Sequence, residues 1–438
     1  MRGSAVVGAC ILLGNFTGFF RVGVTAYLLG THARADSLAV AIGPLDTLNT
    51  VILNTMLFAF VPMLMLREGA SRGALFARAS RVFLTILFPL SAAIALFAGP
   101  LVSVLGPGLA AAEHQQAVTL LRLMAPSTLC AGASGIFSSL LYTERRFIVP
   151  GLNQTCINLG TIAGALLLGK AAGINGFAIG YTVGTALQLL LTWRASADVR
   201  GNLSSGPELA GKITLGDILL KPGMFLLYAG LIAGNIVVTR RFATQAGSGM
   251  AAAFDYCIRC VSVFIAYMVY PVATSLVPEI ARLKGANEDQ RAYRLIDRSV
   301  GLMAIAAAVS LAIGIAIRQP LIAILFERGN FTAQSTELVS DVFLGFAPSL
   351  LGWALMDLIA RCFFAMDRPR LPLIAAFVPV TVNVVLMSAL HAQGRLMNPS
   401  MLGLGASAGL VAGFLTLFTL IHLRRRAANP ARSLVEAG

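Results

Sequence analysis

Long apolar runs constrain this chain more than any other feature. Twelve can be marked, near residues 5–29, 37–66, 82–106, 117–142, 147–169 and 172–194, then 222–246, 250–280, 298–317, 336–364, 370–391 and 401–423. Runs of about 20 residues without period-two alternation are the length of a membrane-crossing helix and not of a barrel strand. In hydrocarbon every backbone amide must be satisfied within its own segment, which leaves helices as the structure for such runs. The composition agrees: 57% of residues are apolar and 12% charged, and the mean hydropathy of +0.81 belongs to the whole chain, not to one anchor. The expected fold is therefore all-α and polytopic. It has about 12 transmembrane helices in two six-helix lobes related by pseudo-twofold symmetry, residues 1–194 and 222–423. A cytoplasmic linker at 195–221 joins them and a basic tail at 424–438 follows.

A net charge of +14 invites a nucleic-acid reading, but the basic residues are arranged by side of the bilayer. With the N-terminus in the cytoplasm, Arg67, Arg72, Arg78, Arg81, Arg282, Lys284, Arg291, Arg294, Arg298 and Arg424 to Arg426 fall inside. Arg34, Lys170, Arg318, Arg328 and Arg395 fall outside. The positive-inside rule then puts both termini in the cytoplasm, and no nucleic acid is expected. Val7-Gly8-Ala9-Cys10 faintly resembles a lipoprotein cleavage box, yet the apolar run continues to Gly30 as a membrane helix would. The cysteines, including Cys257 and Cys260 at C-x-x-C spacing, sit in apolar helices without a second ligand pair and read as buried thiols. His32, His114, His391 and His422 are scattered, so no metal and no cofactor is expected.

The two halves repeat. Gly14-Asn15 with Arg21 returns as Gly234-Asn235 with Arg241, Pro100-Leu101 as Pro320-Leu321, and Ala125-Pro126-Ser127 as Ala347-Pro348-Ser349. Phe60-Val61-Pro62 returns as Leu276-Val277-Pro278, and Pro150 as Pro372. The stripe Gly176, Gly180, Gly184 returns as Gly405, Gly409, Gly413, a spacing that lets helices approach closely. An even number of helices per repeat makes the repeats parallel, and two such bundles leave a central cleft suited to alternating access. Duplication that merely enlarged a bundle is the plainer alternative.

Ionisable residues at bilayer depth are functional candidates by default. Arg122 and Arg361 lie near helix ends and can snorkel, and Asp357 can pair with Arg361 one turn away. Arg21, Asp46 and Arg259 each lie about nine residues from an outer helix end, a common depth of roughly 13 Å. Arg240 and Arg241 add positive charge on the seventh helix, partly offset by Asp255. A net cationic cleft suits a phosphorylated substrate, because guanidinium forks bind phosphate oxygens and remain charged at any working pH. The alternative is a structural network in which Asp46 neutralises Arg21 and Asp255 neutralises Arg259.

The segment Leu325-Phe326-Glu327-Arg328-Gly329-Asn330-Phe331-Thr332, with Leu276-Val277-Pro278 before it, resembles the MurJ/MviN family of lipid II flippases, within the multidrug/oligosaccharidyl-lipid/polysaccharide exporter superfamily. Gly18-Phe19-Phe20-Arg21, Leu29-Gly30, Ala35-Asp36 and Ala59-Phe60-Val61-Pro62 resemble that family's first two helices. The resemblance implies a two-lobed exporter that moves an undecaprenyl-diphosphate-linked saccharide between leaflets. It implies substrate roles for Arg21, Asp36 and Arg259. Asn15 stands where the family usually has a further arginine and Val22 where it has an acidic residue. Leu48 and Asn49 replace an arginine pair, with Asp46 nearby, and the two additional helices of common members are not seen.

The expected function is a flippase for lipid II or a related lipid-linked oligosaccharide, without covalent chemistry, since no nucleophile-base pair, phosphate loop or metal spacing is present. Its substrate residues are expected to be Arg21, Arg259, Arg241, Asp36, Asp46 and Asn15. A monomer in contact with the lipid bilayer and with envelope-polymer synthesis enzymes is expected. Two rivals remain: a cation-coupled multidrug exporter of the same superfamily, and a transport-inactive scaffold for envelope assembly.

Overall fold

A computed structural model of the protein describes residues 2–65, 69–203, 215–286, 288–366 and 368–428. Arg67, part of the 195–221 linker and residues 429–438 of the basic tail lie outside the described residues. Among the described residues all regular structure is helical, and each of the twelve apolar runs carries a helix.

The first half comprises α1 (Arg2–Leu29), α2 (Ala33–Thr55), a π-helical turn (Met56–Phe60), α3 (Val61–Met65), α4 (Gly69–Leu96), α5 (Ala98–Leu105) and α6 (Ala111–Met124). It continues through α7 (Pro126–Thr143), α8 (Ile148–Gly151), α9 (Asn153–Ala172), α10 (Asn175–Ala195) and α11 (Ala197–Gly201). The second half comprises α12 (Leu215–Ala246), α13 (Met250–Gly285), α14 (Asp289–Ala316), α15 (Arg318–Phe326) and α16 (Ala333–Phe346). It ends with α17 (Ser349–Ala365), α18 (Arg370–Ala392), α19 (Pro399–Leu402) and α20 (Leu404–Ala428). Ten helices among the described residues are long and apolar enough to cross a membrane, or eleven if the bent pair α16 and α17 forms one span. The run at 172–194 forms α10 but is not among them, because its buried face carries Tyr181, Thr185, Gln188 and Thr192.

The chain divides into two compact units. Unit 1 contains Met1–Gly230, Gly247–Asp255 and Leu325–Ser335, and unit 2 contains Leu231–Ala246, Tyr256–Ile324 and Thr336–Gly438. Three stretches of the second repeat, residues 222–230, 247–255 and 325–335, thus group with the first.

The repeated residues recur at repeated structural features. Ala125-Pro126 separates α6 from α7, and Ala347-Pro348 separates α16 from α17, where the two axes differ by 49°. Proline has no amide to give the preceding turn, so each half breaks its fourth span at the same motif. Pro100 and Pro320 likewise lie within the short helices α5 and α15. In unit 1 the Asn158 side chain of α9 donates to Gly14 O (3.1 Å) and Thr17 Oγ1 (3.2 Å) of α1. In unit 2 the Asn383 side chain of α18 donates to Asn235 Oδ1 (2.8 Å) and Thr239 Oγ1 (2.9 Å) of α12. All of Asn158, Asn235, Thr239 and Asn383 are fully buried. Buried amides must find partners, and here the same inter-helix tie is made once per half.

The glycine stripes do what their spacing predicts. A Cβ on Gly160 would stand 2.6 Å from Gly180 O and from Gly184 Cα, and one on Gly176 would stand 2.5 Å from Gly164 O. α9 and α10 therefore meet backbone to backbone. In unit 2, Gly409 and Gly413 face Pro379 of α18 in the same way, a Cβ on Gly413 falling 2.6 Å from its Cγ. Outside the spans, Arg146 holds Asp198 with Nη2 to Oδ2 at 2.6 Å. That bond keeps the carboxyl below its ordinary range and anchors α11.

Replacing Gly180 with alanine forces α9 and α10 apart and is expected to cost about 1–3 kcal/mol. Thermal unfolding in detergent checks it. Gly169→Ala, where a Cβ meets nothing within 4 Å, should leave the transition essentially in place.

Candidate functional site

Two polar constellations interrupt the apolar interior of unit 1. The first is centred on Asp46 in α2. Arg21 of α1 reaches it through Nη2, 3.1 Å from Asp46 Oδ2, with the two side chains 15% and 22% exposed. From α10, the fully buried Tyr181 donates its hydroxyl to Asp46 Oδ1 at 3.0 Å. One turn further along α2, Asn49 Nδ2 donates to Tyr181 Oη (3.2 Å) and to Ser127 Oγ (2.9 Å) of α7. Four helices thus contribute one polar group or more to a single network.

The local sequence explains who can take part. Asp46 and Asn49 are three apart, hence on one face of α2. Tyr181 follows Gly180, so the close approach of α10 to α9 sets its position. Ser127 is the second residue of α7, just after the proline break. Arg21 is placed by the Asn158 tie between α9 and α1. The guanidinium is only partly used: its Nη1 atom is enclosed and meets no hydrogen-bond acceptor. A carboxylate shared by a guanidinium and a phenol keeps one hydrogen bond when the other partner is removed, so its two oxygens are held independently.

The second constellation surrounds the α1–α2 turn. Asp36, 3% exposed, accepts from Gly249 N (2.5 Å), just before α13, and from Ala252 N (2.9 Å) in its first turn. Those amides have no partner within their own helix, and a carboxylate there also meets the positive end of the helix dipole. Gly249 is at φ +81°, and a Cβ there would stand 3.1 Å from Thr31 C, so the turn has no room for a side chain. The last carbonyls of α1 are taken by the 325–335 segment. Asn330 N donates to Tyr27 O (2.9 Å) and Asn330 Nδ2 to Leu28 O (2.7 Å), while Thr31 and Ser335 share a hydroxyl contact of 2.8 Å. Phe19 stacks on Phe326 with centroids 5.9 Å apart.

Of the residues expected from sequence, Arg21 and Asp46 are brought together. Asp36 stands apart, ten residues along α2 from Asp46, or about 15 Å. Asn15 is half-buried on α1. Arg241 on α12 and Arg259 on α13 are half-buried in unit 2. Asp357 and Arg361 pair within α17 at 2.9 Å. Sequence reading missed Tyr181, Ser127 and the part of Asn49 in joining them. The hint was present: Asp46 and Asn49 share a face, and a tyrosine inside a glycine stripe has a hydroxyl to satisfy. Among the described residues no group of three or more His, Cys, Asp or Glu is placed to hold a metal.

Asp36→Asn keeps one acceptor but removes the charge from the α13 terminus. Amide exchange in a peptide covering residues 247–254 should rise by about 10-fold, the equivalent of 1.4 kcal/mol. Hydrogen-exchange mass spectrometry reads this directly, and unchanged protection would show that the charge is immaterial to the contact.

Comparison with known proteins gives this geometry a setting. The family model described as lipid II flippase MurJ matches residues 25–436. A probable lipid II flippase MurJ of Rhizobium meliloti (strain 1021) is 27% identical over 435 residues, covering 95% of this chain and 79% of that protein. Among solved structures, lipid II flippase MurJ in an inward closed conformation superposes with a TM-score of 0.82 at 19% identity, over 95% of this chain and 87% of that one. An inward-facing multidrug resistance MATE family transporter of the MOP superfamily gives 0.75 at 12% identity, over 94% and 96%. The two superpositions establish the shared fold, and the family match, which spans almost the whole chain, establishes that this protein belongs to the lipid II flippase MurJ family.

Proposed function

We propose that this protein flips an undecaprenyl-diphosphate-linked saccharide, lipid II or a related lipid-linked oligosaccharide, across the bacterial inner membrane by alternating access and without covalent chemistry. The observation that carries the reading is the half-buried Arg21 guanidinium on a membrane helix, held from one side only. A cation at this depth is costly unless it serves a charged ligand or a pair, and Arg21 has donors beyond those its pair uses. A diphosphate offers a pair of non-bridging oxygens on each phosphorus, and either pair matches such a fork. Arg241 and Arg259 in unit 2 are proposed as further contacts to the diphosphate, and Asn15, near Arg21 on α1, as a contact to the saccharide.

Asp36 has a different part in this reading. Its bonds to Gly249 and Ala252, with those of Asn330 to the end of α1, join turns that the charge distribution assigns to the outer side. They are proposed as the contacts that part when the site opens outward. Both are made to backbone atoms, so they can re-form identically in every cycle. Two six-helix lobes at 1–194 and 222–423, a cytoplasmic 195–221 linker, a basic tail at 424–438 and both termini in the cytoplasm follow from the basic-residue placement and the repeat. A monomer that receives its substrate from envelope-polymer synthesis enzymes completes the proposal.

The test is flipping of fluorescent lipid II in proteoliposomes. Arg21→Ala should cut the rate by about 30-fold or more, the loss expected for a buried charged contact, while membrane insertion is retained. Arg21→Lys keeps the charge without the fork and should fall between. Wild-type flipping by Arg21→Ala would remove Arg21 from the transport path, and flipping of other lipid-linked oligosaccharides but not lipid II by the native chain would reassign the substrate.

A further inference from the structure

The role argued for Asp46 rests on the proposed transport of a diphosphate-linked lipid, and transport requires release. A guanidinium that grips a diphosphate in a poorly solvated site would hold it too long to turn over unless something competes for it. We propose that Asp46 is a resident counter-anion for Arg21, a carboxylate that yields the guanidinium to the incoming diphosphate and reclaims it to expel the lipid, with Tyr181 as the residue that holds this competitor in place.

Three observations support it. The Arg21–Asp46 contact is single, Nη2 to Oδ2 at 3.1 Å, and not a two-pronged fork. Such a contact is the weaker of the two geometries and the easier to exchange. Arg21 Nη1 is enclosed without an acceptor, so the guanidinium is under-satisfied with Asp46 alone and gains a bond once it turns to a phosphate oxygen. Finally, Asp46 is not left stranded when Arg21 turns away. Tyr181 Oη still donates to its Oδ1 (3.0 Å), and Tyr181 is itself fixed by Asn49, which Ser127 holds in turn.

The surroundings leave little else to play this part. α6 presents Ala117, Val118, Leu120, Leu121 and Met124 to the core that holds Leu45 of α2. On the faces described, Arg21 from α1 and Tyr181 from α10 are the side chains bonded to Asp46. The exchange is thus one anion for another on the same cation, and the displaced carboxylate keeps the Tyr181 hydrogen bond. A ligand that must displace an occupant binds with an affinity reduced by the fraction of time the occupant is away, and removing the occupant restores it.

The experiment compares lipid II binding to the purified full chain in nanodiscs with flipping of fluorescent lipid II at saturating concentration. If Asp46 holds Arg21 about nine-tenths of the time, Asp46→Asn binds about 10-fold tighter and turns over more slowly. Tyr181→Phe, which keeps the ring and loses only the bond that satisfies Asp46 once it is displaced, binds lipid II more weakly than wild type, opposite in sign to Asp46→Asn. It also decides the matter should Asp46→Asn not fold. Unchanged or weaker binding by Asp46→Asn, or unchanged or tighter binding by Tyr181→Phe, with Arg21→Ala still defective, overturns the competitor role and leaves Asp46 as a positioning residue for Arg21. Wild-type binding by Arg21→Ala instead overturns the underlying assignment of the diphosphate to Arg21.

Discussion

Helices in hydrocarbon gain nothing by hiding apolar surface from lipid tails that are equally apolar, so their association must come from close packing and from polar ties. In unit 1 both devices converge on one helix pair. Gly160 and Gly164 of α9 lie against Gly176, Gly180 and Gly184 of α10, with no side chain between the backbones. α9 reaches α1 through Asn158, and α10 reaches α2 through Tyr181. The arginine and the aspartate of the candidate site are therefore mounted on helices whose positions depend on a contact made by glycines some distance away.

Polar side chains within the spans fall into two kinds. Asn158 and Asn383 serve only structure: each is fully buried, each ties the fifth span of its half to the first, and neither carries a charge. Arg21 and Asp46 carry charge, remain partly exposed and leave one donor unused. An architecture that wanted only adhesion would use the neutral kind throughout, since a neutral amide costs less to bury than an ion pair. The charged pair is the polar contact on which the proposed function rests. The second half keeps the asparagine tie and has Arg241 at the place of Arg21, so the packing device and one positive charge have outlasted the duplication together.

The helices and the repeat were readable in sequence because both follow from local pattern. Run length reports a span, Ala125-Pro126 and Ala347-Pro348 report a break, and glycines four apart report a close approach whatever lies opposite. The proximity of Arg21 to Asp46 was also within reach, since the two lie at similar depth on adjacent helices. What pattern could not supply was any partner fixed by tertiary placement. Tyr181 is 135 residues from Asp46, and the partners of Asp36 are backbone amides 213 and 216 residues away. An amide has no side chain to betray it. Asn330 stood inside a recognisable motif, yet its attachment to Tyr27 and Leu28 carbonyls depends on how α1 ends, which the motif does not contain.

The π-helical turn at Met56–Phe60 bears on how the second span behaves as a mechanical part. Pro62 withholds the amide that a regular ladder would need at this level, and Ser139 of α7 binds the Met56 carbonyl at 3.0 Å. The rod that bears Asp36 and Asp46 consequently changes pitch beyond them, at a turn held to α7. The added residue in that turn resets the phase of the helix, and Phe60 and Leu64 past it are fully buried in a core shared with Leu75, Phe83 and Ile136.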